Sequence, residues 1–86
     1  MIEATNVIRT NLKVLIAREN LRRAEQGEAR LTMRGLAAAT GLNLSSLNQL
    51  ATNKTKRYDA KTIDRLCKFF QIEVGELLIR EEGDEP

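Results

Sequence analysis

Eighty-six residues suffice for one domain with a single modest core and leave no room for a second domain of ordinary size. With two Phe, one Tyr and no Trp, that core must be built from Leu, Ile, Val, Ala and Met, which suits packed helices better than a β-sandwich. The formal charge of +2 hides a segregation: residues 31–70 carry +5 and residues 71–86 carry −5, so a basic centre faces a polyanionic partner while an acidic end points away from it. One Cys and no His exclude an internal disulfide, the usual zinc ligand sets and Ser-His or Cys-His catalytic pairs, so no metal or cofactor is expected.

The chain starts MIEATNVIRTNL, without an apolar run of signal-peptide length, and nowhere reaches eighteen consecutive apolar residues; a cytoplasmic protein with no membrane segment is expected. Strand signals are missing, since no Asn-Gly or Asp-Gly pair separates alternating runs. In TNVIRTNLKVLIAREN, Ile8, Leu12, Leu15 and Ile16 share one helical face, with Thr5 as N-cap. The segment 21–30, LRRAEQGEAR, either extends this first helix towards Gly27 or forms a polar loop.

Thr32 caps a short second helix from Met33 to Ala39, which Gly41 closes in the left-handed conformation. Asn43 caps a third from Leu44 to about Ala51, and Asn53 is a second residue that tolerates the left-handed conformation. Asp59 starts a fourth helix whose Ile63, Leu66, Cys67 and Phe70 form one stripe, and EVGELLI makes a last short one. The expectation is an all-α, five-helix domain over residues 1–80, with residues 81–86 as an acidic tail too polar to pack.

Two short helices separated by ATGLN, the second lined with polar groups, make a helix-turn-helix. The stretch LTMRGLAAATGLNLSSLNQL, the loop NKTKR and the closing TIDRLCKFFQIEVGELL resemble the XRE family, the Cro and phage-repressor type of DNA-binding domain (lambda repressor-like). Thr32, Leu36, Ala37, Thr40, Gly41, Leu42, Leu47 and Leu50 fill the family's diagnostic places, and the likeness spans Ile8 to Leu78.

A recognition helix must offer hydrogen-bonding side chains to base edges in the major groove while its other face anchors it. Leu47 and Leu50 suit the anchor. A Ser/Asn/Gln face taken alone is more often plain solvated surface; after this turn it reads as a reading face, with Gln49 and Asn48 able to address adenine. The resemblance implies that Leu44, Ser45 and Gln49 hold reading positions, with Leu44 either touching a thymine methyl or folding inward. Lys54, Lys56 and Arg57 follow the third helix where the family's loop lies along the phosphate backbone, and Arg34 and Ser46 are further phosphate candidates. Met33 replaces a Gln found in some phage repressors, and Tyr58 stands where a proline is common, its hydroxyl a candidate phosphate donor.

These features imply a sequence-specific double-stranded DNA-binding transcriptional regulator, a repressor acting by operator occupancy as a homodimer. VGELLI and the 21–30 segment are alternative dimer surfaces. The competing readings are an antitoxin or other protein-interaction module, and a helical adaptor that keeps the fold alone. An enzyme is not expected, because the carboxylates cluster in a tail that cannot hold the fixed geometry of acid-base chemistry.

Overall fold

The computed structural model describes residues 6–55 and 57–82, so the expected cap Thr5 and the cation Lys56 lie outside the described residues. Five helices follow in order, α1 (Leu12–Glu25), α2 (Met33–Thr40), α3 (Leu44–Ala51), α4 (Ala60–Phe70) and α5 (Val74–Leu77), flanked by two strands, β1 (Asn6–Thr10) and β2 (Leu78–Glu82). Each helix contributes one leucine with no accessible surface: Leu12, Leu36, Leu47, Leu66 and Leu77. Around them pack Leu15, Leu31, Leu50, Ala51, Ile63 and Cys67. The fold is thus a compact, mostly helical domain with a small two-stranded sheet.

The strands add a small two-stranded sheet to the five expected helices. Asn6–Thr10 pairs antiparallel with Leu78–Glu82 in the register Asn6↔Glu82 through Thr10↔Leu78, so the first helix begins at Leu12 and Ile8 is 43% exposed on a strand, not part of a helical core stripe. The physical reason is composition: Val7, Ile8 and Thr10 are β-branched and stiff at χ1, which favours extended backbone. β2 also takes in Glu81 and Glu82, the first two residues of the stretch expected to stay outside the fold. Arg9 holds Glu81 across the ribbon at 3.4 Å.

In the 21–30 segment both alternatives occur in turn. Leu21–Glu25 continues α1, and Gly27, at φ +71°, then lets the Glu28 N–H reach back to the Arg23 carbonyl at 2.7 Å. Glu19 binds Arg22 at 2.9 Å and Arg23 at 2.7 Å, while Arg22 also meets Glu28 at 3.2 Å. Hydrogen bonds from the Arg22 and Arg23 guanidiniums hold the Glu19 carboxyl at about 2, well below its ordinary 4.5. Beyond the turn, the Asn20 amide grips the buried Leu31 backbone from both sides, accepting its N–H at 2.6 Å and donating to its carbonyl at 3.1 Å. This grip delivers the chain to α2 in a fixed position.

Left-handed residues close four helices in succession: Gly27, Gly41, Asn53 and Gln71. After α3, Lys54 N–H bonds the Gln49 carbonyl at 2.9 Å and Asn53 N–H the Leu50 carbonyl at 3.2 Å; after α4, Ile72 and Gln71 repeat the pattern on Cys67 and Lys68. These paired bonds satisfy carbonyls that a helix end would otherwise leave open. Burial pushes the Cys67 thiol up from its ordinary value, as suits a small core residue.

Candidate nucleic-acid interface

The helix-turn-helix is built from short local bonds. The Thr32 hydroxyl accepts from Gly35 N–H at 3.0 Å to start α2. A Cβ on Gly35 would sit 3.2 Å from that hydroxyl, a tight contact that the cap would have to yield to. At the turn, Gly41 adopts φ +71°, a conformation that costs L side chains energy. Leu42 N–H bonds the Ala37 carbonyl at 3.1 Å, and Arg65 of α4 donates to the Thr40 and Gly41 carbonyls at 3.2 and 3.4 Å. The turn is therefore pinned from the scaffold by a cation at the C-terminal end of α2, where the helix dipole favours positive charge.

Asn43 then accepts from Ser46 N–H at 3.0 Å and starts α3. Leu47, Leu50 and Ala51 face the core, while Ser45, Ser46, Asn48 and Gln49 are exposed on the opposite side. The anchor and the polar face fall on the two sides that the alternating pattern demands. Leu44 is half-buried and lines an open groove with Arg34, Ala37, Ala38, Gly41 and Leu42. Arg34 thus sits beside Leu44 at one end of this surface.

At the other end, Ser46 and Gln49 share a shallow hollow with Thr55, Arg57, Asp59 and Thr62. Residues expected to read bases and residues expected to hold phosphate are thereby brought within one surface. Lys54 and Arg57 are exposed, and among the described residues none of Arg34, Lys54 and Arg57 forms an ion pair. The carboxylate nearest in sequence, Asp59, is committed elsewhere: it accepts from the backbone and hydroxyl of Thr62 and caps α4.

Tyr58 has a partner within the protein. Tyr58 packs half-buried against the core, and its hydroxyl donates to the Ile8 carbonyl of β1 at 2.9 Å. Here its one proton goes to the protein's own backbone, where a phosphate contact was expected. Met33 also packs against the core, consistent with a methionine having no means of bracing a phosphate. Two residues that the sequence pattern did not single out for this surface are Arg65, which locks the turn, and Asn53, whose amide reaches back to β1. A long-range hydrogen bond leaves no mark in local periodicity.

No helix among the described residues is long and apolar enough to cross a membrane. The model of the Cro/C1-type HTH DNA-binding domain matches residues 11–83, a span that takes in all five helices and β2 and leaves out β1. No curated protein and no solved structure matches the chain. A DNA-binding family, not a catalytic one, accounts for the turn, its caps and the exposed polar helix: the chain belongs to the Cro/C1-type HTH DNA-binding domain family.

Proposed function

We propose that this chain is a sequence-specific double-stranded DNA-binding transcriptional regulator that represses by occupying its operator. One observation carries the reading: the exposed Ser45, Asn48 and Gln49 of α3, a helix whose other face is fixed in the core, stand beside Lys54 and Arg57, which form no ion pair among the described residues. In this arrangement Gln49 and Asn48 read base edges in the major groove, with Leu44 and Ser45 at the rim of the same helix, while Arg34, Ser46, Lys54, Lys56 and Arg57 supply affinity through phosphates.

One such module makes few contacts, and tight selective binding calls for two, placed about 34 Å apart on a pseudo-palindrome. The exposed Val74 and Leu21 mark the two candidate self-association surfaces. The test is selection of bound fragments from a random double-stranded pool at physiological salt. Enrichment of a two-fold-symmetric site with half-sites one turn apart supports a dimeric operator-binding repressor. Salt-sensitive binding with no enriched sequence would leave only phosphate contacts, and would move the assignment to a module that uses this fold to bind a partner protein.

A further inference from the structure

The outer edge of β1, the side turned away from β2, is closed by the two residues that bracket the basic loop. Asn53 accepts from Thr10 N–H at 2.6 Å and donates to the Thr10 carbonyl at 3.4 Å. Tyr58 donates to the Ile8 carbonyl at 2.9 Å. Residues two apart on a strand present their backbone groups to the same edge, so Ile8 and Thr10 offer one continuous row and the loop ends occupy it. The buried Thr10 hydroxyl adds a fourth bond, to the Leu50 carbonyl of α3 at 2.6 Å. Between these anchors, Thr55 bonds the Arg57 backbone through both its N–H and its carbonyl.

We propose that Asn53 and Tyr58 are positioning residues for DNA binding: by pinning both ends of the loop to β1, they hold Lys54 and Arg57 beside α3 before DNA arrives. The proposal rests on the reading of that loop as phosphate-contacting. A long cationic side chain on an untethered loop must lose backbone freedom as it binds; a tethered loop has already lost it on folding. The strand that provides the tether, β1, precedes the family-matched span 11–83.

The experiment is a mutant cycle read by affinity for a random-sequence duplex, because phosphate contacts do not depend on sequence. Tyr58→Phe removes one oxygen and leaves the ring in the core; Asn53→Gly removes the amide and keeps the left-handed backbone at φ 59°. Each is expected to weaken binding about three- to tenfold, the size of one hydrogen bond's net effect, and to have no further effect once Lys54 and Arg57 are both alanine. Wild-type affinity in Tyr58→Phe and Asn53→Gly, with binding still lost in the alanine pair, would overturn the positioning role and leave the loop reading intact. Equal losses in both backgrounds would make the anchors general scaffold and overturn it too. Unchanged affinity and salt slope in the alanine pair would remove the loop reading, and the proposal with it. Thermal midpoints are recorded for every variant, and Tyr58→Phe alone decides the matter if Asn53→Gly is less stable.

Discussion

Two cation-rich stretches use their charge in opposite ways. At the end of α1, Arg22 and Arg23 are folded onto Glu19 and Glu28 within the stretch 19–28; after α3, Lys54 and Arg57 stand exposed with no carboxylate partner among the described residues. The difference follows from spacing. Glu19 lies three and four residues before its two arginines, where helical neighbours meet, whereas Asp59 beside the loop turns its Oδ2 to the Thr62 backbone and hydroxyl to cap α4. A cation with a carboxylate in reach serves the fold; one without it is left for an external anion.

The contrast is broken or sharpened most strongly by replacing Lys54 and Arg57 together with alanine. Binding is expected to weaken by about 2–4 kcal/mol on every sequence and the salt slope to fall by about two, with the thermal midpoint unmoved; titrations at several salt concentrations measure both. Next comes Gln49→Ala, beside the loop but uncharged, which is expected to cost about 1–3 kcal/mol and relax preference at one base pair with an unchanged salt slope. Equal losses on selected and random duplexes would transfer Gln49 to the phosphate group.

Glu19→Gln is expected to do the reverse, leaving DNA affinity intact and lowering stability by about 1 kcal/mol, a figure held down by the half-exposed Arg22. Because folding depresses this carboxyl from 4.5 to about 2, its contribution is complete above pH 4.5 and is lost as pH falls towards 2. Midpoints of the wild type and the variant should therefore converge across that window. Arg22→Ala should lower the midpoint less than Glu19→Gln does, since Arg23 keeps its own bond to Glu19 at 2.7 Å.

Much of the helix-turn-helix was legible because its determinants are local. Thr32, Asn43 and Asp59 cap the helices they precede, and Gly41 and Asn53 take the left-handed backbone, each through bonds between residues three to five positions apart. The ribbon was not legible, since Val7 and Ile8 sit at a spacing that also suits a helix, and their pairing partner lies at the far end of the chain. Gln71, left-handed at φ 56°, carried no glycine or asparagine to announce it. For the interface, the exposed face of α3 follows from the leucine rail, but the use of Tyr58 and Asn53 as ties to β1 required the strand to be seen first.

The ribbon also sets an order of events during synthesis. Arg9 and its partner Glu81 are 72 residues apart, so β1 emerges long before β2 exists to pair with it, and contacts of such separation form late in folding. Until something packs on it, a β-branched segment with two unpaired edges is available to neighbouring nascent chains. Asn53 and Tyr58, made well before β2, cover one of those edges as soon as α3 and α4 pack, so the loop anchors act as a guard on the growing chain.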